Sequence, residues 1–139
     1  MIRYLHTADN LSPEQLRGFF EGWVDSPSAE IHLKLLKSSD EIVLAIDEER
    51  DKVVGFITAI TDHTMSAYIP FLEVLSEYRR KGIGSELVRQ MLKRLDKLYM
   101  IDLLCDEGLQ PFYSALGMKP ANGMMMRNYH LQSGAGAGI

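Results

Sequence analysis

The sequence predicts a single α/β (α+β) domain in which a mixed β-sheet is covered by helices on both faces. Its 139 residues are 46% hydrophobic and 24% charged, the size and composition of one globular domain with a substantial core. Apolar residues recur with a period of about two in some segments and near 3.6 in others, which separates strands from helices. Strands precede helices in the middle of the chain and flank them at its ends, an order typical of a sheet packed between helices.

The N-terminal part predicts one strand and two helices. Residues 2–6 alternate weakly and predict the first strand. Ser12, followed by Pro13 and Gln15, has the pattern of a helix start with a capping box. The predicted helix carries one apolar stripe, formed by Leu16, Phe19, Phe20 and Trp23. Such a stripe is more typical of a core than of an acceptor pocket, and both interpretations are open. A second helix is predicted over residues 29–37.

The middle of the chain predicts three strands. Residues 41–46 and 53–60 are β-rich and are joined by a polar turn, which predicts a hairpin. Residues 67–75 predict the next strand, but Pro70 lies inside it. Proline donates no backbone hydrogen bond, so this strand should be bulged there or splayed from a neighbour.

The C-terminal part predicts two helices and two strands. Residues 82–97 form a strongly amphipathic pattern and predict the longest helix. Residues 100–105 predict a buried strand, and a short helix over 109–116 is closed by Gly117 as its C-terminal cap. Residues 124–129 predict the last strand. Its three methionines should alternate between core and sheet surface, or line an acceptor site: Met124, Met125 and Met126.

Composition narrows the classes of partner and compartment. The chain has 15 basic and 19 acidic residues, a net charge of −4, which argues against nucleic acid and mildly favours a cationic substrate such as an amine. A lone Cys105 provides neither an intramolecular disulfide nor a metal cluster, so no metal is expected. No apolar run reaches the roughly 20 residues of a membrane span. We expect a cytoplasmic domain over residues 1–131 and a flexible Gly/Ala-rich tail over 132–139.

The segment between the third middle strand and the longest helix has the features of an anion site. Gly82 and Gly84 permit a tight turn and close approach of a ligand to the backbone. Three basic residues precede these glycines: Arg79, Arg80 and Lys81. The first helical amides have no internal partners and lie at the positive end of the helix dipole, which favours a phosphate or pyrophosphate. The pattern is not a P-loop, which requires GxxxxGK[ST]. It is not GxGxxG either, because position 87 is Leu. The plainer interpretation is a glycine turn with solvated basic residues.

Two motifs resemble those of the GCN5-related N-acetyltransferases. Arg79-x-x-Gly82-x-Gly84 resembles the R/Q-x-x-G-x-G/A signature of that family, and Phe112-Tyr113-Ser114-Ala115-Leu116-Gly117-Met118 resembles its FYxxLGF helix. The strong match spans residues 71–118. The resemblance implies a mostly antiparallel sheet with a splayed strand pair at the cofactor site. It also implies transfer of the acetyl group from acetyl-CoA to a primary amine.

The resemblance assigns roles to individual residues. The backbone of Val74 and Leu75 would bind the pantetheine arm, with Arg79 bracing the loop that follows. The pyrophosphate would lie on the loop amides, which belong to Arg80, Lys81, Gly82, Ile83, Gly84 and Ser85. Asp106 stands where the family often has Asn, and an ionised Asp accepts hydrogen bonds but cannot donate them, so its contact with the cofactor is open. Leu109 replaces a commonly small residue, which would narrow the cofactor groove.

Several candidate catalytic residues have a structural alternative. Tyr113 would protonate the departing thiolate in such a protein, but its spacing also suits a core position. Glu73 lies inside an apolar strand beside Val74 and is either the general base or a carboxylate that faces solvent or pairs with an Arg. Cys105 is expected to be a small buried hydrophobe. The four histidines are more typical of surface or packing positions than of catalysis: His6, His32, His63 and His130.

The predicted function is acetylation of a small-molecule amine by acetyl-CoA. A peptide N-terminus or lysine is an alternative acceptor, because the sequence does not name the substrate. A non-catalytic acyl-CoA-binding regulatory module and a structural or dimerisation domain that binds only stray anions are alternatives of other classes. A homodimer is compatible with the resemblance alone.

Overall fold

A computed structural model describes residues 1–136 and contains one five-stranded sheet. The strands lie in the sheet in the order of the sequence, and all neighbours are antiparallel except the last pair, which is parallel. The predicted mixed, mostly antiparallel sheet is therefore confirmed. The strands are β1 (Ile2–Leu5), β2 (Glu41–Asp47), β3 (Lys52–Thr61), β4 (Ser66–Val74) and β5 (Met100–Asp102).

The helices are α1 (Ala29–Ser38), α2 (Ile83–Arg94) and α3 (Gln110–Ser114). Helix α1 begins where the Ser28 hydroxyl accepts a hydrogen bond from the Ile31 N–H at 3.2 Å, a serine N-cap. Helix α2 ends at Arg94, three residues before the predicted end. None of the helices in residues 1–136 has the length and apolar character that a bilayer crossing requires.

The two longer helices cover opposite faces of the sheet, as the sequence predicted. Neighbouring residues of β3 show this, because successive side chains of a strand point to opposite faces. A Cβ on Gly55 would lie 3.1 Å from Leu87 of α2. The next residue, Phe56, packs against His32 of α1, with ring centroids 4.4 Å apart. The core is therefore two apolar layers on either side of β2 and β3.

The predicted helix over residues 12–23 is wrong beyond its first turn. A 3-10 turn, Pro13–Leu16, begins at Ser12, whose N–H donates to Gln15 Oε1 at 2.9 Å, as the capping box predicted. The chain then takes left-handed conformations at Gly18, Phe20 and Gly22, with φ of 97°, 64° and 84°, which no α-helix contains. Phe19 and Phe20 are still buried, so the stripe supplies the core without being helical.

The two predicted C-terminal strands are also corrected. Strand β5 has only three residues and is not buried, since Met100 and Asp102 are exposed. Residues 124–128 form no strand in the described chain. Met124 and Met126 are 96% and 84% exposed, so the methionines do not alternate between core and surface.

The chain after residue 131 returns to the start of α1. Gln132 Oε1 accepts a hydrogen bond from the Asp25 N–H at 3.0 Å, and Gly134 lies against Ile31. Residues 137–139 of the predicted tail lie outside the described residues. The domain boundary at residue 131 stays a prediction.

Candidate active site

Strands β4 and β5 diverge and leave a cleft between them. Ser66, Ala67 and Tyr68 pair with β5, and the rest of β4 has no partner on that side in the described chain. The register with β3 shifts at the same place: Thr58 faces Phe71, whereas Ile60 faces Tyr68, so β4 carries one extra residue around Pro70. The predicted bulge and splay at Pro70 are confirmed.

The divergent half of β4 turns backbone groups toward the cleft. The Leu75 N–H donates to the Val54 carbonyl of β3 at 2.9 Å. Because peptide groups of an antiparallel strand alternate in direction, those of Val74 and Leu72 point away from β3 and into the cleft. The Val74 carbonyl accepts a hydrogen bond from Arg79 Nε at 2.9 Å, and its N–H faces the open side.

The loop after β4 ends in a helix start with unpaired amides. Arg80 and Gly82 are left-handed, with φ of 64° and 83°, which turns the chain sharply into α2. The first helical bond runs from the Glu86 N–H to the Gly82 carbonyl at 3.1 Å. The N–H groups of the preceding turn therefore have no helical acceptor, and no side chain of the described chain caps this end: Ile83, Gly84 and Ser85.

Gly84 faces a space that the protein itself does not fill. A Cβ at this position would lie 3.7 Å from Phe112 and 3.8 Å from Val74, which is ordinary van der Waals contact. The fold would therefore accept an alanine, and its φ is not left-handed. The glycine leaves a cradle between β4, α2 and α3 at the end of the cleft. A phosphate bound on the amides of α2 fits this arrangement.

The basic residues of the loop have different surroundings. Arg79 donates from Nη2 to Glu21 Oε2 at 3.0 Å as well as to Val74, so its guanidinium links the end of β4 to residue 21. Lys81 lies over the Tyr78 ring, with its Nζ 5.4 Å from the centroid. Arg80 is exposed. Sequence reasoning missed Glu21, because no local pattern relates it to a residue so distant in the chain.

Tyr113 lies on α3, half-buried against Phe112, with ring centroids 4.9 Å apart. Burial, with a smaller contribution from the Cys105 thiol, raises the pKa of the Tyr113 phenol to about 12. The phenol therefore keeps its proton at neutral pH. Gly117, with φ of 100°, ends this helical segment as predicted, and the Met118 N–H donates to the Tyr113 carbonyl at 3.2 Å. Asp106 is exposed at the turn that precedes α3.

Glu73 holds the turn at residues 20 and 21. Its Oε1 accepts from the Phe20 N–H at 2.7 Å and its Oε2 from the Glu21 N–H at 3.3 Å. These bonds fix the left-handed Phe20 beside β4. The carboxylate thus has a positioning role that neither sequence alternative included, and its role as a base stays a prediction.

An aromatic wall lies beside Glu73 on the α1 face of β4. Phe20 packs on Trp23 with ring centroids 4.9 Å apart, and Phe71 lies 6.1 Å from Phe20 and 6.3 Å from Trp23. Trp23 is 39% exposed, whereas Phe20 is buried. The outer part of this wall is therefore open to a ligand.

The histidines do not gather at the cleft. His32 is 1% exposed and packs among Phe19, Phe20 and Phe56. Neither of its ring nitrogens has a hydrogen-bond partner within residues 1–136, and burial lowers its pKa to about 4. The other three are exposed: His6, His63 and His130. Cys105 is half-buried. In the described chain no three His, Cys, Asp or Glu side chains are grouped to hold a metal ion.

The sheet topology, the splayed β4–β5 pair and the unpaired amides at the start of α2 define a fold of the N-acetyltransferase class. Residues 8–118 match the model of the acetyltransferase (GNAT) family, and the chain belongs to that family.

Individual relatives agree with this assignment. The chain is 42% identical to a protein of Deinococcus radiodurans R1 that is assigned as an acetyltransferase; the match covers 95% of this chain and 92% of that structure, with a TM-score of 0.92. A GNAT family acetyltransferase of Streptococcus pneumoniae is 28% identical, with 92% and 98% coverage and a TM-score of 0.74. An uncharacterized N-acetyltransferase of Pyropia yezoensis is 26% identical over 82% of this chain and 68% of its own length.

Proposed function

We propose that this protein transfers the acetyl group of acetyl-CoA to the primary amine of a small molecule. The observation that carries the proposal is the β4–β5 cleft, which ends at unpaired amides of α2. Such a cleft suits a long ligand with a diphosphate at one end. The reduced Cys105 and the family suggest the cytoplasm as the compartment.

The residues around the cleft fit the cosubstrate. The N–H groups of Ile83, Gly84 and Ser85 would hold the diphosphate, together with the loop amides of Arg80, Lys81 and Gly82. The backbone of Val74 and Leu75 would bind the pantetheine arm, with Arg79 bracing the loop through the Val74 carbonyl. Asp106 is exposed at the turn before α3, and its carboxylate is a candidate acceptor for an amide N–H of the cosubstrate.

The chain offers hydrogen-bond donors for the charges that develop during transfer. Bound acetyl-CoA would supply the thioester carbonyl that the amine attacks. The Val74 N–H, free on the cleft side, would stabilise negative charge on that carbonyl oxygen. Tyr113 is the proposed general acid for the departing sulfur. Its raised pKa keeps the phenol protonated at neutral pH, so that its O–H is available to donate while the thiolate forms.

Glu73 is the proposed proton acceptor for the amine. A carboxylate has about four lone-pair sites, and the two backbone N–H groups use only two of them. A primary amine with a pKa of about 10 is mostly protonated at neutral pH and must lose a proton before attack. Glu73 is adjacent to Val74 on β4, so it is close to the proposed position of the thioester carbonyl.

The acceptor site is proposed at the wall formed by Trp23 and Phe71. Aromatic faces attract cations, and the Glu73 carboxylate, which binds the N–H of Phe20, lies beside them. An amine attached to an apolar group fits an aromatic wall with a carboxylate beside it. Acetyl-CoA turnover over a panel of amines and of peptides with free N-termini or lysines, with products identified by mass, tests the proposal. Acetylation of small amines supports it; exclusive peptide acetylation, or CoA binding without turnover, contradicts it.

A further inference from the structure

A pocket of about 220 Å³ lies beside the start of helix α1. It is lined by residues 16–20, by residues 26–29 and by His32. Phe20, which lines the pocket, also packs on Trp23 of the aromatic wall, with ring centroids 4.9 Å apart. The pocket therefore adjoins the proposed acceptor site.

His32 brings to this pocket a polar side chain that the protein leaves unpaired. The residue is 1% exposed, and within residues 1–136 neither ring nitrogen has a hydrogen-bond partner. Buried polar groups are almost always hydrogen-bonded, because an unpaired group has lost its bonds to water. The rings of Phe19, Phe20 and Phe56 surround the imidazole, so the pocket is the side from which a polar partner can reach it. At 1% exposure that partner has to be a small group.

The start of α1 adds backbone donors. The Ile31 N–H donates to Ser28 Oγ, and the His32 N–H donates to the Ser28 carbonyl at 2.9 Å. The N–H groups of Ala29 and Glu30 come before these bonds and have no helical acceptor. Ala29 and His32 are three residues apart, so they share one face of the helix, and both line the pocket. Burial lowers the pKa of the imidazole to about 4, so at neutral pH it is uncharged and one ring nitrogen carries an N–H.

The charge of the lining favours an anion. Arg17 is the one charged residue that lines the pocket, and it has no ionic partner in the part of the chain that the structure describes. Asp25 and Glu30 border the lining in sequence, but both are exposed and neither lines it. The positive end of the α1 dipole adds to the charge of Arg17. A single guanidinium matches a singly charged carboxylate, which accepts two parallel hydrogen bonds from it.

We propose that this pocket binds a carboxylate and that the acceptor is an amine that carries this carboxylate at its other end. The inference rests on the proposed function for the amine and adds a second group by which the acceptor is recognised. The N–H of Phe20 donates to Glu73 at 2.7 Å, and its ring centroid lies 4.9 Å from those of His32 and Trp23. The amine and the carboxylate would thus lie on either side of one aromatic residue. In an α-amino acid the two groups share one carbon, which is too close, so an ω-amino acid is the expected class.

Acetylation of a chain-length series of ω-amino acids, each paired with the n-alkylamine that lacks its carboxylate, tests the proposal. We expect kcat/KM to pass through a maximum with chain length and there to exceed that of the paired amine by at least ~10-fold, because a site built to hydrogen-bond a group rejects the analogue without it. His32→Leu and Arg17→Gln should each lower this preference by ~10-fold through KM and leave the paired amine unchanged. The matched control is Arg3→Gln, at an exposed position of β1 on the opposite edge of the sheet, which should keep the preference.

Nuclear magnetic resonance of the His32 ring provides a readout without acetyl transfer. Millimolar hexanoate should shift the ring signals, which the His32→Leu variant identifies by their loss, and hexylamine should not. Acetylation that is indifferent to the carboxylate, or hexanoate that leaves the His32 signals unchanged, overturns this inference while the proposed function stands. If no amine of the series is acetylated but hexanoate shifts the His32 signals, the proposed function is contradicted and the carboxylate site is supported.

Discussion

The two halves of β4 have the same neighbour on one side and different neighbours on the other. Residues 67 and 68 pair with both β3 and β5, whereas in the described chain residues 71–74 pair with β3 only. The bulge at Pro70 separates them. The first half is part of the sheet, and the second presents peptide groups and side chains to a cleft. One residue that cannot donate a hydrogen bond thus converts a structural strand into the wall of a binding site.

Filling the cradle at the end of the open half should have the largest effect. Gly84→Val adds an isopropyl side chain between Val74 and Phe112, and we expect cofactor affinity to fall by roughly 10³-fold, since the amides of α2 become inaccessible. Gly84→Ala is the matched control: it should stabilise the free chain by ~0.5–1 kcal/mol, because alanine is the better helix former, and weaken CoA binding less. Thermal unfolding with and without CoA measures both. Undiminished stabilisation of the Val variant by CoA would exclude the cradle as the diphosphate site.

The core between β3 and α1 should make the stability of the chain depend on pH. The unfolded chain protonates His32 near its ordinary pKa of 6.5, while the folded chain does so only near 4. Below pH 6.5 the unfolded state therefore binds more protons, and the free energy of unfolding falls as the pH drops toward 4, by about 3 kcal/mol in total. His32→Leu should remove this dependence, whereas His6→Leu, at an exposed site, should keep it. Denaturant unfolding from pH 4 to 8 provides the comparison; identical slopes for His32→Leu and the parent chain would contradict it.

Tyr113→Phe removes the proposed proton donor without changing the packing against Phe112. Turnover should fall by roughly 10²-fold, the usual contribution of general acid catalysis, while cofactor affinity stays nearly the same. Single-turnover kinetics and CoA titration separate the two quantities. Unchanged turnover across the pH range would leave Tyr113 a packing residue.

Glu73→Gln should affect both stability and rate. The amide nitrogen cannot accept the N–H of Phe20 or Glu21, so we expect a loss of ~1–3 kcal/mol in the free energy of unfolding. If Glu73 is the base, the acidic limb of the pH–rate profile should also disappear. Glu21→Gln is the control, because it disturbs only the contact with Arg79. It shows whether any disturbance of the turn at residues 20 and 21 is enough to change the pH–rate profile. Survival of the acidic limb in Glu73→Gln would restrict Glu73 to positioning.

The sequence predicts the parts of this fold that local rules determine. The glycine turn into α2, the break at Pro70 and the left-handed turn at Gly117 after α3 follow from backbone conformations that those residue types favour. The segment over residues 12–23 could not be predicted, because the left-handed Phe20 is held by Glu73 from another strand. The strand expected at 124–129 is wrong because β-propensity alone does not make a strand, and in the described chain this segment forms no ladder with β5.

The central claim is that the amides opening α2 exist to bind a diphosphate, and a crystal structure with bound CoA tests it most directly. We expect the diphosphate oxygens within hydrogen-bond distance of the N–H groups of Ile83, Gly84 and Ser85, with the pantetheine arm along residues 72–75. CoA bound with its diphosphate away from α2, or along another strand, would contradict the account.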